Sequence, residues 1–343
     1  MTTVTIRLLE RFPDPAWNAY VDRHAAGSFF HLSEWGAIYL ALGWTEPHFL
    51  IAERGQETVG VMPLATVRWG IGRSAMVSMP YCVLAGAIAD DESIQRQLEH
   101  AAIEQGRRCG ARFLEVRQSV SPNPGWGDHK GFASFSRELA ANDADNRKAL
   151  PKRRRAMIRK GEAAGLAVCS DIDLQKFYAL YALSMRNLGT PLYGWRLFEL
   201  LWHHFESRVG LLAATDANEP VAAVMSFYYK GRVMPYYTGA MPRARQLAGS
   251  DFLYWALMCD AVKRGCRIFD FGRSVVGTGS ADLKKNWGFE AVPLSYQFVA
   301  LDGSAVAPLD PDSPLNSFAR RAWSRLPLPL ANWLGPLVSR RLY

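Results

Sequence analysis

The chain has 343 residues, of which 49% are hydrophobic and 21% are charged, and it carries a formal net charge of +8. This composition excludes wholesale disorder, and the length exceeds the size at which one hydrophobic core stops growing. The excess of positive charge favours an anionic partner.

The N-terminus and the cysteines indicate the cellular setting. Residues 1–5 (MTTVT) lack the basic start and apolar run of a secretory signal, and no window approaches the length of a membrane-spanning apolar helix. The cysteines at 82, 109, 169, 259 and 266 show neither close pairing nor metal-ligand spacing, and the histidines show no such spacing either. These features predict a cytoplasmic protein with reduced cysteines and no metal.

Two segments, one in each half of the chain, predict β-hairpins. Residues 49–62 run from FLIA to VGVM, and residues 211–225 run from LLAA to VAAVM. In each segment two apolar stretches flank a polar turn, which is the pattern of paired antiparallel strands.

A second repeat follows each hairpin. Residues 110–119 (GARFLEVRQS) align without a gap with residues 265–274 (GCRIFDFGRS). Each copy follows a helix-like stretch, opens with a glycine that suits a helix end, and continues with alternating apolar and charged residues. Because the order of hairpin, helix and strand occurs twice, we infer a duplicated α/β module.

A strongly basic segment lies between the two copies. Between Asn146 and Lys160 there are basic residues and no acidic one. Leu150 and Pro151 predict a helix start, and Gly161 or Gly165 is available to end the helix. The segment is interpreted either as a solvated basic helix or as a phosphate site, because arginine matches phosphate oxygens bidentately. The basic residues are Arg147, Lys148, Lys152, Arg153, Arg154, Arg155, Arg159 and Lys160.

The second copy carries the densest group of chemically active residues. A helix is predicted to begin at Ser250 as N-cap, and the strand after it ends in a loop rich in glycine and serine. Asp270, Arg273, Lys284 and Lys285 lie in or just after that strand. Loops at strand ends are where α/β folds commonly bind ligands, so this segment is predicted to form the active site.

The C-terminal tail, residues 301–343, combines tryptophan, leucine and arginine. From Phe318 onwards it has no acidic residue, and prolines at 327, 329 and 336 are expected to prevent one long helix. This composition suits an interfacial position on an anionic membrane leaflet. The alternative is a tail that packs back over the protein and buries Trp323 and Trp333.

Several motifs carry a resemblance to a known family. Residues 269–274 (FDFGRS), 277–279 (GTG) and 283–289 (LKKNWGF) resemble the final domain of the FemAB family, particularly the branch found with exosortase and exopolysaccharide gene clusters. Similar motifs lie at residues 30–35 (FHLSEW), 150–155 (LPKRRR), 187–191 (NLGTP) and 236–240 (YYTGA).

The resemblance implies an α/β (α+β) fold made of two tandem GNAT-like domains. Each domain would be a mixed, mostly antiparallel sheet flanked by helices. We expect a first domain over residues 1–145, a basic junction helix over 146–165, a second domain over 166–300 and the tail over 301–343.

The resemblance also implies an acyltransferase. It would move an activated acyl group from an acyl-CoA or an aminoacyl-tRNA, with no bound cofactor, to an amine of a cell-envelope acceptor, such as one related to peptidoglycan or exopolysaccharide. The acceptor is expected to be phosphate- or lipid-linked, and the protein to lie in the cytoplasm or at the inner face of the membrane. No sequence-specific DNA binding is expected.

The candidate site residues divide into two groups. Lys284 would stabilise negative charge on the acyl carbonyl oxygen or bind a donor phosphate, and Asp270 would orient the amine or accept its proton. The expected substrate-binding residues are Trp35, Arg153, Arg154, Arg186, Tyr193, Tyr236, Tyr237 and Arg273.

Three alternatives remain open. The sequence shows no long charged helical hairpin after Lys160, which argues against an aminoacyl-tRNA donor. It has Ser33 where some relatives have a basic residue, which argues against a lipid-linked peptidoglycan acceptor. An acyl-CoA-dependent enzyme acting on a small metabolite or sugar amine is one alternative, although residues 243–249 match a pyrophosphate loop only loosely. The others are a non-catalytic scaffold that binds a glycan or membrane in an export system, and generic RNA binding.

Overall fold

The computed structural model describes residues 3–68, 74–118, 123–129, 131–303 and 314–340, with only the backbone at 314–318. Positions 119 and 341, which belong to the predicted repeat and tail, lie outside these ranges. Unit 1 comprises Met1–Phe132, Pro293–Leu309 and Arg340–Tyr343, and unit 2 comprises Ala133–Val292 and Asp310–Ser339. These units are discontinuous in sequence, whereas the predicted domains are contiguous.

The elements are numbered in chain order. The first are β1 (Val4–Leu8), α1 (Pro15–Arg23), α2 (Glu34–Leu42), β2 (Thr45–Pro47), β3 (Leu50–Arg54), β4 (Glu57–Met62), β5 (Ala65–Arg68), β6 (Ser74–Val77), β7 (Ile88–Ala89), α3 (Glu92–Arg108), β8 (Phe113–Gln118), β9 (Gly127–Asp128), β10 (Phe132–Glu138), α4 (Asp143–Ala149) and α5 (Lys152–Ala163). The others are β11 (Ala167–Cys169), α6 (Leu174–Leu188), α7 (Trp195–Phe205), β12 (Val209–Asp216), β13 (Glu219–Tyr229), β14 (Arg232–Ala240), α8 (Pro242–Leu247), α9 (Gly249–Lys263), β15 (Ile268–Val275), α10 (Gly279–Asn286), β16 (Val292–Pro293), β17 (Ser295–Ala300), α11 (Pro314–Trp323) and α12 (Leu328–Ser339).

Unit 1 contains two sheets. One has the order β1-β3-β4-β7 and the other β2-β5-β6-β8-β17-β9. The predicted hairpin over residues 49–62 is confirmed as β3 and β4, which pair antiparallel. Leu50, Leu98 and Leu114 belong to the hydrophobic core between α3 and these strands. Burial of such side chains is the main source of stability for the unit.

Unit 2 is built on a seven-stranded sheet of order β11-β12-β13-β14-β15-β10-β16. Strands β12, β13 and β14 form an antiparallel meander, whereas β14 and β15 pair in parallel. Helices α5 and α9 pack on the sheet through a core that includes Ile158, Phe252 and Leu257. The predicted mixed, mostly antiparallel α/β architecture is therefore confirmed.

The duplicated helix–glycine–strand unit is also present. Helix α3 is followed by Gly110 and β8, and helix α9 is followed by Gly265 and β15. The φ angles of Gly110 and Gly265 are 65° and 76°, in the left-handed region that favours glycine. Both glycines therefore end their helices as the sequence predicts.

One local prediction is confirmed and another differs from the structure. The basic segment contributes to two helices, α4 and α5; α5 begins after Pro151, as predicted, and ends just before Gly165, one of the two glycines expected to end it. The prediction that Ser250 caps α9 is wrong, because the helix begins at Gly249 and Ala248 occupies the cap position. Ala248 has a φ of 58°, so the sharp turn is made by the backbone without a polar capping side chain.

The C-terminal tail contains the helices α11 and α12. In place of one long helix the tail forms these two short helices, with Pro327 between them, as the prolines predict, and Pro336 lies inside α12 without ending it. Across the described ranges, no helix combines the length and the apolar character needed to cross a membrane.

Candidate active site

The parallel strands β14 and β15 pair only where they begin. Arg232 is opposite Ile268 and Val233 is opposite Phe269, and no later residue of either strand is paired with the other. Both strands continue for several residues, to Ala240 and Val275. The facing edges from Met234 and Asp270 onwards therefore form an opening in the sheet of unit 2.

A β-bulge lies at the start of this opening. Ser226 is opposite Pro235 and Met225 is opposite Tyr237, so Tyr236 is an extra residue on β14. Bulges bend the strand that carries them, increase its twist and occur frequently beside active sites. The bulge at Tyr236 accounts for the divergence of β14 from β15.

Helix α6 holds the far end of β14. The hydroxyl oxygen of Ser184 accepts a 2.7 Å hydrogen bond from the Ala240 amide and donates a 3.1 Å hydrogen bond to the Ala240 carbonyl. A Cβ atom on Gly239 would lie 2.3 Å from the Tyr181 nitrogen, so only glycine permits this approach of helix to strand. The end of β14 is thus fixed to α6 instead of to β15.

Helices α8 and α9 connect the end of β14 to the start of β15, so the N-terminus of α9 follows the end of β14 after one short helix. Arg154, on α5, donates a 2.6 Å hydrogen bond from Nη1 to Oδ1 of Asp251 in the first turn of α9. The guanidinium carbon of Arg154 lies 6.0 Å from the centroid of the Trp287 ring. Its Nε is buried with no hydrogen-bond partner among the described residues. A helix N-terminus with an adjacent arginine is suited to binding phosphate.

Lys284 lies on α10 and is 7% exposed. Its Nζ donates hydrogen bonds to the carbonyl oxygens of Gly272, at 3.2 Å, and Arg273, at 2.7 Å, and lies 5.3 Å from the centroid of the Phe135 ring. Burial, helped by the positive charge of Arg273 and opposed by Asp270, lowers the pKa of Lys284 to about 8. The side chain thus fastens α10 to the part of β15 that is not paired with β14, and it changes protonation near physiological pH.

Asp270 lies at the apex of the opening, directly after Phe269, the last residue of β15 that is paired with β14. Its Oδ2 accepts a 3.0 Å hydrogen bond from Nη1 of Arg232, and its Oδ1 accepts a 2.8 Å hydrogen bond from the Gly272 amide. Burial raises the pKa of Asp270 above its ordinary value, although Arg232 and the Gly272 amide act in the opposite direction. A carboxylate with a raised pKa is a better proton acceptor than an exposed one.

Comparisons with known proteins identify the fold. A family model described as an acetyltransferase (GNAT) domain matches residues 144–285. A solved structure of FemX is 12% identical, with a TM-score of 0.68, and the match covers 86% of this chain and 98% of that chain. Residues 144–285 therefore match a GNAT domain, and the chain has the fold of FemX and of tandem GNAT proteins.

Two other solved structures are similar to this chain. A tandem GNAT protein from the clavulanic acid biosynthesis pathway is 13% identical, with a TM-score of 0.54, and the match covers 88% of this chain and 100% of that chain. The C-terminal domain (DUF2156) of an Agrobacterium fabrum protein, named as a candidate lysylphosphatidylglycerol synthetase, is 13% identical, with a TM-score of 0.56. That match covers 90% of this chain and 93% of that chain. No curated protein matches the chain. The GNAT match supports acyltransferase activity.

The other predicted site residues fall in different environments. Tyr193, Tyr236 and Tyr237 cluster in unit 2, with ring centroids of Tyr237 6.0 Å from Tyr193 and 4.9 Å from Tyr236. Arg273 is half-buried on β15, beyond Asp270. The structure therefore brings the tyrosines together on and beside β14, and Asp270, Arg273 and Lys284 on and beside β15.

Three predicted residues lie apart from these groups. Trp35 is completely buried in unit 1, where its Nε1 donates a 3.1 Å hydrogen bond to the Phe29 carbonyl, so we leave it out of the proposed site. Arg153 is exposed on α5. Arg186 is half-buried near the end of α6, and its Nε has no hydrogen-bond partner among the described residues.

Sequence analysis missed Arg232 and Ser184. Each acts on a residue far away in sequence, Asp270 for Arg232 and Ala240 for Ser184, and neither belongs to a recognisable motif. Gly239 lies inside the family-like motif at 236–240, and that motif is the signal that identifies it. Among the described residues, no group of three histidine, cysteine, aspartate or glutamate side chains is positioned to hold a metal ion.

Proposed function

We propose that this protein transfers an activated acyl group to an amine, and that the acyl donor binds where β14 and β15 part. The observation that carries the proposal is the pairing of these strands at only two residue pairs, beside the bulge at Tyr236. An unpaired strand edge offers backbone donors and acceptors to an extended ligand, as in β-strand addition. The arm that carries the acyl group would lie along this edge.

The phosphates of the donor would lie at the N-terminus of α9. Both candidate donors, acyl-CoA and aminoacyl-tRNA, carry phosphates, and the buried Arg154 guanidinium is next to the first turn of this helix. Since Asp251 already pairs with Arg154, part of the positive charge is neutralised. Arg153, exposed on the same helix as Arg154, adds a second cation for a large polyanion.

In the proposed reaction the amine nitrogen attacks the acyl carbonyl, forming an amide. The bond to the thioester sulfur or the ester oxygen breaks, and the leaving group takes up a proton. Asp270 accepts the proton of the amine, because its pKa is raised and it lies at the apex of the opening. Lys284, as an ammonium ion, offsets the negative charge that develops on the carbonyl oxygen, either directly or through the strand that it fixes.

The acceptor is proposed to be an amine of a cell-envelope or exopolysaccharide-related molecule. FemX and the lysylphosphatidylglycerol synthetase domain, whose folds are similar, support this class of acceptor. The tyrosines 193, 236 and 237 supply an aromatic surface, and Arg186 and Arg273 supply cations for an acceptor that carries phosphate. The alternative acceptor is a small metabolite or sugar amine, as the tandem GNAT protein of the clavulanic acid pathway suggests.

Donor binding tests the proposal. The thermal midpoint of the purified protein would be compared with a panel of acyl-CoA thioesters and with charged and uncharged tRNA, since a ligand that binds only the folded state raises that midpoint. We expect one donor class to stabilise the wild type and to stabilise Lys284→Ala less. Stabilisation by charged tRNA alone identifies an aminoacyltransferase, and stabilisation by acyl-CoA identifies a CoA-dependent enzyme.

Lys285→Ala is the matched control, because Lys285 is the exposed neighbour of Lys284 on α10. Its stabilisation by the donor is expected to equal that of the wild type. No stabilisation of the wild type by either donor class would reject the transfer function and favour the non-catalytic scaffold.

A further inference from the structure

The C-terminal helix α12 has two different faces. Ala331, Gly335 and Ser339, spaced four residues apart, form its buried face. A Cβ atom on Gly335 would lie 2.1 Å from Cδ2 of Leu192. A Cβ atom on Gly194 would lie 3.3 Å from Cβ of Pro336. Close packing of small residues therefore docks α12 firmly on the segment between α6 and α7.

The opposite face of α12 is apolar and exposed. Trp333 is 67% exposed, and Leu330 and Leu337 are each 39% exposed. Their spacings of three and four residues place them on one side of the helix, turned away from the buried face. The tryptophan and the two leucines lie outside the face that docks α12 on the protein. An exposed apolar face of this kind is suited to contact with another apolar phase.

The segment that carries this face is basic. No acidic residue occurs between Pro314 and Arg340. Arg321, at the end of α11, and Arg325, in the turn before α12, are both exposed. Arginine beside an exposed tryptophan and leucines is the composition of a segment that binds at the surface of an anionic membrane.

We propose that the outward face of α12 docks the protein on the surface of an anionic lipid bilayer. Trp333, Leu330 and Leu337 would enter the boundary between headgroups and acyl chains, and Arg321 and Arg325 would contact lipid phosphates. A second copy of the chain fits this surface less well, because self-pairing would bring the same arginines together with no acidic residue between Pro314 and Arg340 to neutralise them.

Vesicle co-sedimentation of the full chain tests the docking without donor or acceptor, so its outcome is separate from that of the proposed function. Vesicles of phosphatidylcholine alone would be compared with vesicles containing roughly one third phosphatidylglycerol. We expect binding to the anionic vesicles only. Trp333→Glu is expected to weaken it at least about tenfold, and Arg325→Ser about fivefold, with the Arg325 contribution lost at high salt.

Leu40→Glu is the matched control, because Leu40 is 59% exposed on α2 in unit 1. Its binding is expected to equal that of the wild type, and circular dichroism would establish that every variant is folded. Failure of the wild type to bind anionic vesicles overturns the proposal. Leu40→Glu and Trp333→Glu losing vesicle binding to the same extent would overturn it as well. Concentration-dependent dimerisation that Trp333→Glu abolishes, without vesicle binding, would assign the face to a second copy.

Discussion

The side-chain nitrogen of Lys284 lies 2.7 Å from the carbonyl oxygen of Arg273, in the part of β15 that does not pair with β14. A lysine with little exposed surface thus holds the strand on one side of the opening. Because burial lowers its pKa to about 8, the contact between α10 and β15 has a charge that depends on pH.

This pKa shift predicts a pH dependence of stability. Between pH 8 and the ordinary lysine value of 10.5, the unfolded chain binds the proton at position 284 and the folded chain does not. The free energy of unfolding should therefore rise through this interval, by up to about 3 kcal/mol, and should be constant with respect to this group below pH 8. Chemical denaturation of wild type and Lys284→Met across this range measures the difference. Parallel curves for the two proteins would contradict the prediction.

A second prediction concerns the role of Lys284 in transfer. If the ammonium form offsets charge on the acyl carbonyl, kcat should fall as pH rises above about 8, because the charge is lost. Lys284→Met should lower kcat at least about 100-fold at neutral pH and abolish this decline. Lys285→Met should keep the wild-type profile. A wild-type rate that increases through pH 8 would assign Lys284 to proton abstraction by its neutral amine.

A third prediction concerns the pair of Arg232 and Asp270. Arg232 lowers the pKa of Asp270 against the effect of burial, so Arg232→Met should raise that pKa further. If Asp270 accepts the amine proton, the acidic limb of the profile of kcat/KM against pH should then move to higher pH. In Asp270→Asn the acidic limb of this profile should disappear, and most of the activity should be lost. An unchanged acidic limb in Arg232→Met would show that another group accepts the proton.

The ion pair of Arg154 and Asp251 should be important for stability. Their side chains are only 12% and 14% exposed, so either Arg154→Met or Asp251→Asn leaves a charge unpaired in a poorly hydrated environment. Each change is expected to cost about 3 kcal/mol, and the double variant should cost less than the sum of the two. Urea denaturation of the wild type, the two single variants and the double variant measures the four free energies of unfolding that this comparison needs. Arg196→Met is the control, because its pair with Glu199 is exposed and should contribute less than about 1 kcal/mol.

Gly239→Ala tests the contact between α6 and β14. The added Cβ would lie 2.3 Å from the Tyr181 nitrogen, so backbone must move, and we expect destabilisation by at least about 2 kcal/mol together with weaker donor binding. Gly279→Ala adds the same atom where no other atom lies within 4 Å, and it should leave both properties unchanged. Equal thermal midpoints for the two variants would show that the close approach is not needed.

The local structure and the fold class could be predicted from residue patterns. The two hairpins, the two helix–glycine–strand units and the basic helices follow from residue patterns within short windows, where periodicity and glycine conformation act directly. The motifs around Asp270 and Lys284 likewise identified the segment that forms one side of the opening. Such features depend on neighbours in the chain, so a sequence pattern suffices to predict them.

The folded structure was needed to show how these elements combine. It showed that β14 and β15 part after two residue pairs, that Ser184 and Gly239 hold β14 to α6, and that Arg232 faces Asp270. It also turned Trp35 inwards and Trp333 outwards, although both are tryptophans in apolar segments. These outcomes depend on packing between residues far apart in the chain, and the energy of such contacts is set by the assembled geometry rather than by the local sequence.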